Sequence, residues 1–242
     1  MANKSALILG ASSDIGWALA TKLNSEGYHI ILAGRDEQPL HDKIKSYSSQ
    51  DFSVHKFDAR SFDQHKKWFS ALPTIPDITI CVFGFLGDQK KAESEWNESL
   101  AIIETNYTGV VSILNVVAEQ YSKQKKGTIV GISSVAGDRG RQSNFIYGSA
   151  KAGFTTYLSG LRNKLFVDGV HVLTVKPGFV DTKMTAGLNL PKILTAKPDQ
   201  VANSVYKAIV KKKNLIYVLP IWFWIMLAIK NIPEGIFKRM KL

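Results

Sequence analysis

Tyr147 and Lys151 stand four residues apart in the run Tyr147-Gly148-Ser149-Ala150-Lys151. On a helix that spacing puts both side chains on one face. A phenol with an ordinary pKa of about 10 is a poor acid at neutral pH. A lysine ammonium beside it favours the phenolate and lowers that pKa. Ser134 follows the apolar run Thr128-Ile129-Val130-Gly131-Ile132, which reads as a buried strand, so its hydroxyl can reach the same substrate oxygen. These groups together can protonate a carbonyl oxygen while a hydride attacks its carbon. A bare Tyr-x-x-x-Lys also occurs on exposed helix faces. The strand before it and a nucleotide-type loop far upstream select the catalytic reading.

A hydride needs a carrier, and the N-terminal stretch is built to hold one. Ala6-Leu7-Ile8-Leu9 is a short apolar run suited to a buried parallel strand. The loop Gly10-Ala11-Ser12-Ser13-Asp14-Ile15-Gly16 follows, and then an amphipathic helix over residues 17–25. Strand, glycine turn and helix place a pyrophosphate on a helix N-terminus. An acid near phosphates is unfavourable, so the Asp14 carboxylate is expected to point away or to cap the helix. The second strand, His29-Ile30-Ile31-Leu32-Ala33, ends in Gly34-Arg35-Asp36. An NAD site usually has a carboxylate at that strand end. Gly34 takes the place here, and the guanidinium of Arg35 favours a 2′-phosphate, hence NADP. Asp36 leaves dual use open.

Further strands read at residues 53–57, 77–84, 170–175 and 215–219. They alternate with helices at 40–46, 95–122, 147–166 and 198–211, the second of these packing through Ile102, Val110, Val111, Leu114 and Val117. The alternation predicts an α/β fold: a Rossmann-type, doubly wound parallel sheet of about seven strands with helices on both faces. Pro177-Gly178 stops the sixth strand and frees its backbone to approach a ligand. Residues 183–197 read as a mobile lid, with Gly187 and Pro191 interrupting any helix.

Ser133-Ser134-x-Ala136-Gly137 followed by Tyr147-x-x-x-Lys151 resembles the active site of the short-chain dehydrogenase/reductase family. The glycine loop is similar to that family's, with Asp14 replacing the middle glycine. The resemblance implies that Tyr147 is the proton donor and that Lys151 also binds the nicotinamide ribose. It implies that Ser134 orients the carbonyl, and that Asn106 disturbs its helix and holds a water beside the lysine. Gly10, Ser12, Ser13, Asp14, Ile15, Gly16, Arg35, Asp58, Ala59, Phe83, Gly84, Pro177, Gly178, Val180 and Thr182 are the implied cofactor residues besides Tyr147 and Lys151. Asp58 and Ala59 would lie against adenine, and Val180 and Thr182 at the nicotinamide end. Cys81-Val82-Phe83-Gly84 stands where the family usually has Asn-Asn-Ala-Gly, which removes a brace of the central sheet. Family members commonly associate through the helices bearing Asn106 and Tyr147, which implies a homo-oligomer.

A narrower likeness rests on Phe83-Gly84-Phe85-Leu86-Gly87-Asp88, Asn106-Tyr107-Thr108, Asn144-Phe145-Ile146-Tyr147-Gly148 and Ile232-Pro233-Glu234-Gly235-Ile236-Phe237-Lys238-Arg239. These segments resemble the decaprenylphosphoryl keto-ribose reductases of arabinan synthesis. The likeness implies NADPH reduction of a keto-sugar on a polyprenyl phosphate, completing an epimerisation begun by a separate flavin oxidase. Two other readings stay open: a reductase of a soluble ketone or acyl thioester, and an NADP-binding protein without catalysis.

The 242 residues suit one domain, 1–220, with 221–242 as its apolar-basic extension. Cys81 is the sole cysteine, which excludes an internal disulfide and a cysteine-clustered metal site. The five histidines show no ligand spacing, so no metal is expected. Met1-Ala2-Asn3-Lys4 leads straight into a strand, so a cytoplasmic chain without signal peptide is expected. A formal net charge of +11 calls for an anionic partner. No nucleic-acid motif is present, which leaves a phosphorylated cofactor or an acidic membrane face. Residues 221–229, Ile-Trp-Phe-Trp-Ile-Met-Leu-Ala-Ile, are apolar on every side. They fall short of the ~20 residues that span a bilayer. Their tryptophans and the flanking Lys211, Lys212, Lys213 and Lys230 fit peripheral contact with a membrane. A buried helix or a subunit contact is the other reading.

Overall fold

Alternating apolar runs and amphipathic stretches resolve into one open sheet with helices on both faces. The computed structural model describes residues 4–47, 51–187 and 189–241. In chain order the first half holds β1 (Ser5–Leu9), α1 (Asp14–Ser25), β2 (His29–Gly34), α2 (Gln38–Lys45), β3 (Phe52–Lys56), α3 (His65–Ser70), β4 (Ile78–Cys81), α4 (Gln89–Ser94) and α5 (Trp96–Ile103). The second half holds α6 (Gly109–Gln124), β5 (Thr128–Ile132), α7 (Phe145–Leu165), β6 (His171–Pro177), β7 (Phe179–Val180), β8 (Thr195–Ala196), α8 (Pro198–Val210), β9 (Leu215–Val218), α9 (Ile221–Asn231) and α10 (Glu234–Phe237).

The main sheet runs β3-β2-β1-β4-β5-β6-β9, with every neighbouring pair parallel. Strands β1, β4 and β5 are buried along their whole length, as apolar strands covered on both faces must be. Leu19 and Leu23 of α1 join Val201 and Val205 of α8 in the core on one face. Val110, Leu114 and Val117 of α6 join Phe154 and Leu158 of α7 on the other. The strand order reverses direction between β1 and β4. A crevice opens there beyond the carboxyl ends of the strands, the usual ligand position in such sheets.

The run Trp96–Gln124 is long and apolar enough to cross a membrane by length and composition. Here its inner face is built into the core. It is not a uniform helix, because Glu104–Thr108 forms a π turn between α5 and α6. The cause is Asn106, whose Nδ2 donates to the Ile102 carbonyl at 2.8 Å, competing with the backbone ladder. The helix is therefore disturbed where Asn106 predicts. Downstream, the buried stripe of α6, Val110, Ile113, Leu114, Val117, Ala118 and Tyr121, keeps an ordinary helical spacing. Val111, expected inward, is only partly buried, and Ile113 is fully buried in its place.

Two further differences concern the C-terminal third. Residues 183–197 are not structureless: β8 pairs with β7 in a separate two-stranded sheet, and Lys183–Thr185 and Lys192–Leu194 form short 3₁₀ turns. Leu188 of this stretch lies outside the described residues. Helix α9 is half-embedded. Its Trp222 and Met226 are buried against Val135, Phe179, Leu194 and Tyr217, and its other side is exposed.

Candidate active site

Two residues beyond β5 stands Ser134, extended, whose Oγ accepts from the Ala136 N–H at 3.1 Å and starts a 3₁₀ turn, Val135–Gly137. That turn is pressed onto the start of α7. A Cβ on Gly137 would lie 2.7 Å from the Ala152 nitrogen, and one on Gly148 would lie 2.8 Å from the Ala136 oxygen. Only glycine allows this approach, which brings Tyr147 into hydrogen-bond contact with Ser134. Ser133, one residue earlier, does the complementary work. Its buried Oγ donates to the Lys151 carbonyl at 3.0 Å and meets Thr155 Oγ1 at 2.7 Å, tying the strand end to the helix. Sequence reading assigns Ser133 no role, and only its place in the motif signals one.

Burial pushes the Tyr147 phenol up to about 12, and the Ser134 hydrogen bond opposes it. Burial lowers the Lys151 ammonium to about 8, against the neighbouring Cys81 thiol. Lys151 Nζ donates to the Ile132 carbonyl at 3.2 Å and stands 5.7 Å from the Tyr147 ring centre. The expected lowering of Tyr147 by Lys151 is absent from this arrangement, in which burial sets the direction and only Ser134 opposes it. Tyr147 holds its proton at neutral pH, as a general acid must before it acts.

Asn106 is fully buried and grips the loop after β4. Its Nδ2 donates to the Phe85 carbonyl at 2.6 Å, and its Oδ1 accepts from the Phe85 N–H at 3.3 Å. Gly84 fits between Asn106 and Lys151: a Cβ there would be 2.9 Å from Asn106 Oδ1 and 3.4 Å from Lys151 Nζ. The missing Asn-Asn brace is replaced by backbone. Val82 and Phe83 both donate to the Leu9 carbonyl, at 2.9 and 3.1 Å.

A cleft of about 430 Å³ opens beside these residues, lined by Gly10, Ser12, Ser13, Arg35, Asp58, Ala59, Phe83 and Gly84 among those expected. It is also lined by Phe57, Arg60 and Met184, which sequence reading did not single out. Gly10 has φ +97°, and a Cβ on it would lie 2.6 Å from the Phe83 nitrogen. Gly16 likewise leaves no room for a Cβ against the Gly10 carbonyl. The loop therefore closes tightly on the helix, which leaves backbone available to a phosphate. Ser13 is the cap of α1, with Oγ accepting from the Gly16 N–H at 3.0 Å. Asp14 points away, as expected, and its carboxylate accepts from the Lys183 N–H at 2.8 Å. Ile15 packs into the core instead of lining the cleft.

The adenosine end is cationic. Arg35 is exposed on the cleft lining, and Lys43 Nζ donates to the Ser12 carbonyl at 3.1 Å. Asp36 turns elsewhere, its Oδ1 accepting from the Gln38 N–H at the start of α2. His65, buried, meets the Asp58 carbonyl at 3.0 Å and Ser112 Oγ at 2.8 Å, fixing the turn that presents Asp58 and Ala59.

Pro177, Gly178, Val180 and Thr182 do not line this cleft. Gly178 has a structural reason to be glycine besides the one read from sequence. A Cβ there would overlap the Trp222 indole, so the glycine makes room for α9 and not for a ligand on that side. Trp222 also donates to the Leu194 carbonyl at 3.0 Å and meets Phe179 edge-on at 5.2 Å. Val180 is buried, and Thr182 caps the turn that follows it. Behind the Ser134 loop lies a polar network that the sequence does not reveal. Buried Lys176 pairs with Asp138, which also accepts from Tyr217 Oη at 2.7 Å. Burial, and then Asp138, push the Tyr217 phenol up.

The family model described as short chain dehydrogenase matches residues 4–192. An uncharacterized oxidoreductase of Mycobacterium tuberculosis is 33% identical over 240 residues, which is 97% of this chain and 96% of that protein. One of Streptomyces coelicolor is 31% identical, over 98% of this chain and 96% of its own. A short chain dehydrogenase of Burkholderia cenocepacia, solved in complex with NADP, has the same fold at TM-score 0.85 and 19% identity, with 98% of this chain and 97% of that chain covered. With its glycine loop, its Ser134–Tyr147 contact, its buried Lys151 and these matches, the chain belongs to the short-chain dehydrogenase family of oxidoreductases.

Proposed function

We propose that this protein is an NADPH-dependent reductase that delivers a hydride to a ketone, the ketone being part of a sugar carried on a polyprenyl phosphate. The observation that carries the reductase reading is the Ser134–Tyr147 contact beside buried Lys151, with Gly84 of the glycine-bounded cleft packed against that lysine. Gly10, Ser12, Ser13 and the α1 N-terminus suit the pyrophosphate, and Asp58 and Ala59 suit the adenine. When bound, NADPH supplies the hydride. Tyr147 gives its phenolic proton to the carbonyl oxygen, so the C=O becomes a secondary alcohol. Ser134 orients that oxygen and stabilises its developing charge. Lys151 binds the nicotinamide ribose, and its charge favours the phenolate left behind. Asn106 supports the relay that returns a proton. A protein that only bound NADP would need Lys151 but neither Tyr147 nor Ser134.

Preference for NADPH rests on Arg35, with Lys43 nearby and Asp36 turned away. A charge-assisted hydrogen bond contributes about 1.5–3 kcal/mol, so Arg35→Ala should weaken NADPH binding about 10–100-fold and leave NADH almost unchanged. Fluorescence titration of both cofactors checks this. Equal losses for the two would show that Arg35 reads something other than the 2′-phosphate.

Support for a phosphorylated sugar comes from the loop between Ser134 and Tyr147. Arg141 Nε and Asn144 Oδ1 are buried there and find no hydrogen-bond partner among the described residues. Buried polar atoms of this kind are costly unless a ligand pairs with them. The narrower likeness in residues 83–88, 106–108, 144–148 and 232–239 points the same way, and it implies a flavin oxidase that makes the ketone. The test is NADPH oxidation with a panel of ketones: a keto-sugar with and without its polyprenyl phosphate, a soluble ketone and a keto-acyl thioester. The lipid-linked keto-sugar should be turned over with the highest kcat/KM. A thioester or a free ketone in first place would overturn the substrate half of the reading.

A further inference from the structure

Helix α9 shows two faces of opposite use. Inward, Trp222 and Met226 are buried against Val135, the neighbour of Ser134, and against Phe179. Outward, Ile221, Phe223, Trp224 and Leu227 are exposed, Trp224 by 66%. Leu215, Ile236 and Met240 add exposed apolar groups from the flanking segments. The C-terminal stretch is strongly cationic. From residue 211 onward the chain carries Lys211, Lys212, Lys213, Lys230, Lys238, Arg239 and Lys241. The only acid in the same stretch is Glu234, and it is paired with Arg139 at 2.9 Å. The seven cations are all exposed.

Exposed tryptophan and aliphatic groups on a strongly cationic C-terminal stretch suit the interface of an anionic bilayer, where rings sit at headgroup depth and lysines meet lipid charge. At 1.5 Å per residue α9 is about 16 Å long, roughly half the hydrocarbon thickness, so it can lie in the interface but not cross. The helix is also locked to the catalytic loop. Arg139, five residues after Ser134, donates to the carbonyls of Ile229 at 2.5 Å and Ile232 at 2.7 Å and stacks 3.6 Å over the Phe237 ring. A cation at a helix C-terminus completes its unsatisfied carbonyls.

We propose that the outward face of α9 docks on an anionic lipid bilayer, holding the Ser134 loop one helix away from a lipid-borne substrate. The membrane role rests on the reading of the substrate as lipid-linked, but the docking is measured without substrate. The full chain is sedimented with vesicles of phosphatidylglycerol or of phosphatidylcholine at low salt. It should pellet with the first and stay in solution with the second. Trp224→Glu/Leu227→Glu should stay in solution with both, while binding NADPH like the parent. Lys230→Gln/Lys238→Gln/Lys241→Gln, all exposed and at or after the end of α9, should lose about fivefold in vesicle affinity per lysine, the equivalent of about 1 kcal/mol per charge.

The docking is overturned if the full chain ignores phosphatidylglycerol vesicles. It is equally overturned if the Trp224/Leu227 variant pellets as well as the parent, or if the three lysines can be removed without loss. Self-association through the same face, in place of vesicle binding, would make it a protein interface. Vesicle binding by a protein that reduces only soluble ketones would leave the docking standing and remove the lipid-linked substrate.

Discussion

Tyr147→Phe is expected to lower ketone reduction by about 10²–10⁴-fold, the usual worth of a positioned general acid, while NADPH binds as before. The substitution removes one oxygen and keeps the ring that packs beside Lys151. What disappears is the proton that burial holds on the phenol, with its pKa pushed up to about 12, and the bond to Ser134. Single-turnover NADPH oxidation and a cofactor titration, run on the same preparation, separate chemistry from binding. Activity within tenfold of the parent, ~1.4 kcal/mol in the barrier, would remove Tyr147 from the role of acid.

The second large effect is on stability, and it lies behind the site. Lys176 and Asp138 form an ion pair whose side chains are 7% and 2% exposed. Lys176→Met removes the cation and leaves Asp138 with Tyr217 as its remaining listener in a dry environment. Breaking a buried pair from one side costs about 3–5 kcal/mol, because the surviving charge is uncompensated. For a chain of this size each kcal/mol shifts Tm by about 2–4 °C, so a fall of roughly 6–20 °C is expected in a thermal melt. Lys176→Met/Asp138→Leu should recover most of that loss, since replacing both partners by apolar groups is often neutral. A single variant that melts within 2–3 °C of the parent, about 1 kcal/mol, would show that the pair is solvated.

The acid, its lysine and Ser134 were legible because their chemistry depends on short spacings along one strand and one helix. The sheet was legible for a similar reason: strands buried on both faces are short apolar runs, and the helices between them are amphipathic. Whatever depends on distant contacts was not. The lack of room for a Cβ at Gly178 comes from the indole of Trp222, far along the chain. Asp14 is explained by Lys183, and Arg139 by the carboxyl end of α9. Ile113 belongs to the same helical stripe as Val110, Leu114 and Val117, while Val111 stands at its edge and is only partly buried. Residues 183–197 look like an unsupported loop in sequence. They are in fact pinned by Asp14 at one end and by Trp222 at the other.

The most direct measurement follows one hydrogen. NADPH carrying deuterium at both C4 positions of its nicotinamide is mixed with the protein and the polyprenyl-phosphate keto-sugar, and the product is read by mass spectrometry and NMR. One deuterium is expected on the new carbinol carbon, formed in step with NADPH loss and absent with Tyr147→Phe. A product alcohol without deuterium, or a labelled product formed equally well by Tyr147→Phe, would contradict hydride transfer assisted by Tyr147.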